Sequence, residues 1–496
     1  MERKKKLLYN TVAGTAKPIV TLICGFILPR AILQYYGSEV NGLISSIAHF
    51  LSFISLLDLG VGAVVQSNLY KPLATKDENK ISAIVVSSQQ FFRRLAYIFL
   101  LYIGFLALFL PNTLNASYDF LFTASLVVII AVSTFAQYFI GMTNQLLLSA
   151  DQKAYIPVSI EICTIILNTV FCIVLMKAGA SIHAVKLVTA TIYVLKPIVQ
   201  NLYVKHNYSI NWHVSFAGEP IKQKWNGLSQ HFAAVVCENI DVVLLTFFST
   251  LKNVSIYSVY YMVTSGVSMI IQTAASGIES LFGNMLAKGE RDTLVRSFSV
   301  AEFVFHIVVT VIFSTAAILI VPFILVYTKG INDANYYAPM FATILVAAYA
   351  VRCIRIPYFQ LIKAAGHFKQ TQNGAFISML LNIVLSVALI FDFGLVGIAF
   401  GTFAAMFYHT CYFVWYLRKN ILNRKAHHFL KFVITDALCC VVIFILTRGI
   451  PLEQITYLSW FFMALKVGTI SMTVTLAINA VFNKRQIAVL MSILRK

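Results

Sequence analysis

The sequence has few charged residues for its length. Asp, Glu, Lys and Arg make up only 11% of the 496 residues, whereas 59% are hydrophobic, and the mean hydropathy is +0.80. Soluble domains carry about 25% charged residues, so water could not solvate the surface of this chain. The composition therefore predicts an integral membrane protein built from apolar spans of about 20 residues.

Catalytic and nucleotide-binding motifs are also absent from the sequence. It contains no GxxxxGK[ST], HExxH or GxSxG pattern. The basic residues do not cluster around a motif that reads nucleic acid. The 8 cysteines form no CxxC pair and fall within apolar runs, which indicates reduced packing residues. We therefore expect no enzyme, no cofactor, no metal site and no nucleic-acid partner.

About fourteen apolar spans can be drawn along the chain, and they predict an all-α integral membrane protein. Their approximate ranges are 8–35, 39–68, 85–111, 118–148, 156–177, 182–203, 226–249, 254–285, 297–327, 337–362, 371–391, 394–417, 429–447 and 458–482. The first is interrupted by Lys17 and followed by no cleavage site, so we interpret it as an uncleaved helix. Lys and Arg concentrate in alternate loops, which predicts that both termini are cytoplasmic.

The sequence also repeats itself, with an offset of about 214 residues. Residues 146–171 resemble 360–385, and 40–78 align with 254–292. An even number of spans per repeat gives two parallel six-helix lobes, followed by two extra C-terminal helices; such lobes are typical of transporters with a site between the halves. The predicted divisions are a first lobe at 1–210, a cytoplasmic linker at 211–224, a second lobe at 225–420, and two additional helices with a cytoplasmic tail at 421–496.

Ionisable residues inside the spans mark candidate sites, because such residues usually face a bundle interior or a wet cavity. Arg352 and Arg355 share one face of span ten, about 12 to 16 Å along the helix from Lys363. Only the second half carries arginines there, since the repeat places Gln137 at the equivalent position. We predict that substrate contacts Arg352, Arg355, Arg30, His49 and Gln137. We assign charge balance or ion coupling to Asp58, Glu238, Asp241 and Glu279.

Some of these charges also have structural interpretations. We expect Lys196 to snorkel to a lipid headgroup, and Arg355 could do the same. Glu279 could pair with a nearby base. Glu238 and Asp241 lie three residues apart on one helix, where two carboxylates can bind a cation, hold a proton or neutralise the arginines.

One glycine-rich run in span two carries a family resemblance. Residues 35–74 read YYGSEVNGLISSIAHFLSFISLLDLGVGAVVQSNLYKPLA. The positions that match a family pattern are Gly37, Gly42, Asp58, Gly60 and Gly62. The run resembles the early region of the bacterial polysaccharide transporter family. That family contains O-antigen and capsule flippases and belongs to the multidrug/oligosaccharidyl-lipid/polysaccharide exporter superfamily. ENIDVVLLTFF followed by VSIYSVYY is similar to the family's seventh and eighth helices.

The resemblance implies a flippase of the bacterial cytoplasmic membrane. Its expected cargo is an undecaprenyl-diphosphate-linked oligosaccharide repeat unit, moved by alternating access for capsule or cell-surface polysaccharide. Guanidinium groups bind phosphate bidentately, which suits Arg352 and Arg355 to this cargo. The expected partners are the lipid-linked oligosaccharide, membrane lipid, a polysaccharide polymerase, glycosyltransferases and a coupling H⁺ or Na⁺; the protein is expected to be a monomer. A cation-coupled drug exporter of the same superfamily and a scaffold without transport remain alternatives.

Overall fold

The computed structural model describes residues 2–58, 61–114, 118–212, 214, 228–275, 277–424, 427–484 and 486–488. Every regular element among these residues is helical. The α-helices are α1 (Glu2–Ser52), α2 (Ser55–Asp58), α3 (Val61–Thr75), α4 (Glu78–Thr113), α5 (Phe120–Ala136), α6 (Met142–Ala150), α7 (Tyr155–Lys177), α8 (Ile182–Asn207), α9 (Leu228–Phe248), α10 (Leu251–Ala274), α11 (Ile278–Ala287), α12 (Arg291–Tyr327), α13 (Pro339–Ile354), α14 (Ile356–Ala364), α15 (Phe368–Phe393), α16 (Leu395–Leu417), α17 (His427–Thr447) and α18 (Tyr457–Phe482). Two π-turns, Gln137–Gly141 and Arg418–Leu422, follow α5 and α16.

The first long helix holds two membrane spans rather than one. Gly37, inside it, has φ 83° and ψ 177°, a backbone region that glycine alone occupies readily. Before Gly37 the chain runs parallel to α7. Lys6 contacts Asp151, which precedes α7, and Tyr36 donates a hydrogen bond to the carbonyl of Ala180, which follows it. Gly37 therefore stands at the far end of the first span.

After this corner the chain runs back antiparallel to α9. Ser46 hydrogen-bonds Thr246 at 2.7 Å, and further along His49 meets Asn239, so the residue numbers rise on one helix as they fall on the other. Gly42 permits a close approach, because a Cβ there would lie 1.9 Å from the carbonyl oxygen of α10's first residue. The described residues contain 13 helical stretches long and apolar enough to cross a membrane. The corner divides the first of them, which confirms the prediction of about fourteen spans.

The chain forms two compact units, Met1–Ser255 and Ile256–Lys496. Each has its own apolar core. Buried side chains of the first unit include Leu43, Ile47, Phe92, Phe99 and Leu126, and those of the second include Phe282, Phe298, Tyr358, Leu361 and Phe413. The predicted linker at 211–224 lies almost entirely outside the described residues, and the predicted lobe boundaries stay predictions.

The backbone shows the sequence repeat directly. Gln152 (φ 59°) and Gly366 (φ 69°) end the turn before α7 and before α15 in the same left-handed conformation. Asn168 of α7 and Asn382 of α15 are both buried, with 3% and 0% exposure. Because each pair is separated by the offset found in the sequence, the two halves share one backbone plan.

Candidate functional site

The two arginines of span ten lie where that span is interrupted. The α13 helix ends at Ile354 and α14 begins at Ile356, with Arg355 between them. Pro357 follows in the first turn of α14 and has no amide hydrogen to continue the ladder of α13. The sequence therefore places both guanidinium groups beside a break in the helix.

Aromatic rings contact both guanidinium groups. The Arg352 Cζ atom lies 5.7 Å from the ring centre of Tyr349, and that of Arg355 lies 5.9 Å from the ring of Phe413 on α16. Both arginine side chains are half-buried. The imidazole of His409 packs on the same Phe413 ring at 4.4 Å. Arginine over an aromatic face keeps its planar donors available in a fixed orientation.

Glu279, which the sequence assigns to charge balance or ion coupling, forms an ion pair with a lysine. Its carboxylate lies 2.5 Å from the ammonium of Lys363, so α11 and α14 are joined by an ion pair. The aromatic ring of Phe359 contacts the same ammonium at 5.6 Å. The structural interpretation of Glu279, a pairing with a nearby base, therefore fits these contacts.

His49 belongs to a polar group in the first unit. Its Nδ1 lies 2.9 Å from the Asn239 side-chain oxygen, which also accepts a hydrogen bond from Ser52. Asn239 is flanked on α9 by the two predicted carboxylates. Asp241 is buried, with 3% exposure, whereas Glu238 is exposed. The structure thus separates these carboxylates into different environments, although their spacing predicts a common helix face.

Three further predicted residues lie in the first unit. Arg30 is half-buried on α1. Gln137 opens the π-turn of span four, and its amide donates to the side chain of Gln145 at 3.0 Å. Asp58 ends α2, and its side chain lies outside the described residues. Arg352 and Arg355 belong to the second unit, so no compact unit contains all of the predicted substrate residues.

Sequence reasoning missed a shared ion pair in the first unit. The two oxygens of Glu161 on α7 accept separate lysines, with Lys17 of α1 at 2.7 Å and Lys196 of α8 at 3.0 Å. The side chain of Lys196 is only 14% exposed. The interpretation of Lys196 as a snorkelling residue is therefore wrong, because its ammonium is bound to a carboxylate inside the unit. The cluster retains one net positive charge.

A buried carboxylate of the second unit also escaped the sequence interpretation. Glu302 on α12 is 0% exposed and accepts two hydrogen bonds at 2.5 Å from Arg424, in the segment before α17. The hydroxyl of Tyr358 donates to the same carboxylate. His306, one turn along α12, contacts Asp436 of α17 at 2.5 Å. The four-residue spacing of Glu302 and His306 was the signal available in the sequence.

Among the described residues, no group of three His, Cys, Asp or Glu side chains is arranged to hold a metal ion. Several charged side chains within the spans are instead joined to each other or packed on aromatic rings. A half-buried basic surface beside a helix break can bind an anion, since guanidinium and ammonium groups supply charge-assisted donors.

Solved structures of transport proteins share the fold of this chain. No family model and no curated protein sequence matches the chain. Its fold is that of solved transporters and flippases of the MOP superfamily, which is the fold that the resemblance found in the sequence implies.

Three of these neighbours show the extent of the similarity. The inward closed conformation of the lipid II flippase MurJ has a TM-score of 0.72 and 13% identity, covering 97% of this chain and 100% of that chain. An inward-facing MATE multidrug resistance transporter has a TM-score of 0.65 and 13% identity, covering 84% and 99%. A MOP-superfamily transporter from Pyrococcus furiosus, described as having a binding pocket of reverse polarity, has a TM-score of 0.60 and 14% identity, covering 85% and 97%.

Proposed function

We propose that the protein is a flippase for undecaprenyl-diphosphate-linked oligosaccharide repeat units, used in the synthesis of capsule or other cell-surface polysaccharide. The observation that carries the proposal is the pair of half-buried arginines at the break in span ten, each packed on an aromatic ring. A diphosphate that leaves the headgroup layer needs donors of opposite charge inside the membrane. Two guanidinium groups one helix turn apart match such an anion.

The similarity to MurJ supports a lipid-linked cargo, because that neighbour is a lipid II flippase. In the proposed cycle the arginines hold the diphosphate while the sugar occupies a hydrated space and the prenyl chain stays in lipid. Alternating access of the two lobes then carries the headgroup between leaflets. We place the protein in the bacterial cytoplasmic membrane with both termini cytoplasmic, from the distribution of Lys and Arg.

The test replaces both arginines and measures surface polysaccharide in a strain that lacks its own flippase. We expect Arg352→Gln with Arg355→Gln to lower export at least tenfold, since each lost charge-assisted contact is worth about 1.5–3 kcal/mol. Arg352→Lys keeps the charge but loses the bidentate geometry. Its export should therefore lie between that of the wild-type protein and that of the double variant. Arg296→Gln, at an exposed position of α12, is the matched control. Full export by the double variant at normal protein levels would refute the cargo role.

A cation-coupled exporter of the same superfamily is the second candidate function. Asp241 supports it, because a carboxylate only 3% exposed within a span is a suitable binder for a proton or a cationic molecule. The MATE neighbour has the same fold and is a multidrug resistance transporter. If this candidate is right, expression of the protein raises resistance to cationic dyes, and Asp241→Asn abolishes that resistance while Arg352→Gln leaves it intact.

A further inference from the structure

Buried polar residues follow one row of α12 at four-residue intervals. They are Glu302, His306, Thr310 and Ser314, and none is more than 8% exposed. The α12 helix packs against both α17 and α18. The row starts beside the segment that precedes α17, where Arg424 binds Glu302. It leads toward Ile318, whose neighbours are apolar side chains of α18.

A matching row occurs on α18. Its members are Ser471, Thr475 and Asn479, and Asn483 continues the row just after the helix ends; all four are buried and lie at four-residue intervals. A side-chain oxygen of Ser471 and of Asn483 is buried without a hydrogen-bond partner among the described residues, whereas Thr475 interacts with the Cys439 thiol of α17. Small polar residues often pack membrane helices together, but they then satisfy their own hydrogen bonds. Each unsatisfied oxygen costs about 1–3 kcal/mol, so water is the natural partner for these atoms.

A histidine–aspartate pair lies beside these rows. The Nδ1 atom of His306 is 2.5 Å from an Asp436 oxygen, and the two side chains are 3% and 14% exposed. An ionised carboxylate only accepts hydrogen bonds, so Nδ1 carries the hydrogen. The other ring nitrogen, Nε2, then has a lone pair. It is buried and has no hydrogen-bond partner among the described residues.

The charge balance around the pair favours one more proton. Glu302 is already neutralised by the two hydrogen bonds from Arg424. Within the described part of the chain, Asp436 has His306 as its one ion-pair partner. The pair with a neutral imidazole therefore has one uncompensated negative charge inside an apolar region, which is strongly disfavoured.

Other charged groups on the helices around α12 do not balance that charge. On α13, Arg352 packs on a tyrosine of its own helix. Lys363 of α14 is paired with Glu279 of α11. Lys431, His427 and His428 of α17 and Lys466 of α18 are exposed. The thiols of α17 near Asp436, Cys439 and Cys440, carry no positive charge. A proton on the imidazole is the simplest remaining way to make the pair neutral.

We propose that His306 and Asp436 form a proton-binding site, which water reaches along the polar rows of α12 and α18. Water delivers the proton to Nε2, and the product is an imidazolium paired with the Asp436 carboxylate. The reverse transfer returns the proton to water. The site deepens the proposed function, on which its physiological role rests: the bound proton is the coupling ion for transport.

The direct test needs no cargo. Full-length protein labelled with ¹⁵N-histidine is placed in lipid nanodiscs, and the imidazole signals are followed from about pH 5 to 9. The His306 signal is identified by its loss in His306→Gln. We expect this signal to change within this range, and the pH at which it changes to differ in Asp436→Asn, because the paired carboxylate is gone.

The control is the signal of His183, which contacts Ser125 and the carbonyl of Phe122 far from α12 in the sequence. It should not respond to Asp436→Asn. A His306 signal that stays neutral across the range, or one whose midpoint is the same in Asp436→Asn, overturns the proposal. Size-exclusion profiles show whether each variant is folded, and Asp436→Asn provides a second variant if His306→Gln is not.

A transport assay then separates this proposal from the proposed function. Proteoliposomes are loaded with a fluorescent, short-chain prenyl-diphosphate-linked sugar, and flipping is measured with and without a pH gradient. We expect His306→Gln to abolish the acceleration by the gradient but to retain exchange at equal pH. If wild-type protein titrates at His306 but flips no cargo, the proton site stands and the proposed cargo is wrong. Equal acceleration in both proteins contradicts the coupling.

Discussion

Spans four and ten are the same element of the repeat, yet they treat polar groups differently. Both are interrupted near the same position, by the π-turn at Gln137 in one and by the break at Arg355 in the other. In span four the side chain of Gln137 donates a hydrogen bond to Gln145 of the same span. In span ten, Arg352 and Arg355 are set on aromatic rings. The backbone interruption therefore occurs in both halves of the repeat, whereas these arginines occur only in the second.

Carboxylates show the opposite asymmetry. Glu161 and Asp151 each bind two lysines in the first unit. The repeat places Ala375 and Ala365 at the equivalent positions of the second half. The two carboxylates that each bind two lysines therefore occur in the first half, whereas the half-buried arginines beside a helix break occur in the second. Three changes test how far this contrast extends.

The largest effect is expected from Glu161→Gln. It leaves Lys17 and Lys196 as two cations within the spans without their shared carboxylate, which should cost about 3 kcal/mol of unfolding free energy. Thermal unfolding in detergent measures the loss. Adding Lys196→Gln in the same chain should recover part of it, because one uncompensated charge is then removed. An unchanged unfolding temperature for Glu161→Gln alone would mean that Lys17 and Lys196 do not need the Glu161 carboxylate to balance their charge.

A smaller effect is expected at the repeated turns. Gly366→Gln gives the second half the residue found at the same turn of the first half, with a non-glycine side chain at positive φ, and should cost about 1 kcal/mol. A Cβ there meets no atom within 4 Å, so the positive φ is the source of the expected cost. Gln152→Gly should stabilise by a similar amount. Changes in unfolding temperature of equal size and opposite sign would support an equivalent backbone at the two turns. Changes of the same sign would contradict it.

The smallest effect is a dependence on acid. Burial raises the pKa of Asp151, but hydrogen bonds from Lys153 and Tyr208 and the charge of Lys6 outweigh it, so the pKa is lowered. The stabilisation is therefore present above the ordinary aspartate pKa of about 4 and is lost as pH falls through the lower folded value. Unfolding temperatures measured from pH 6 downward should decline less in Asp151→Asn. Parallel curves for the two proteins would contradict the assignment.

Much of the fold could be predicted from the sequence, because hydropathy, loop charge and the repeat are local or periodic signals. The pairing of charges could not. Lys196 finds its carboxylate on another helix, and that contact depends on how α7 and α8 are rotated against each other. Glu238 and Asp241 lie about 60° apart around their helix. The boundary between the buried and the exposed face of α9 can therefore lie between them, so that only one is buried. The arginines were found because charge in a long apolar span is visible without knowing its neighbours.

The corner at Gly37 has a practical consequence for mapping the protein in a membrane. One residue stands where two successive spans are usually joined by a loop, so the chain offers no segment there to a protease or an inserted epitope. A tag placed at this corner would separate two helices that the backbone joins directly. Single cysteines at the flanking positions, probed with membrane-impermeant reagents, are the way to establish on which side of the membrane these two spans meet.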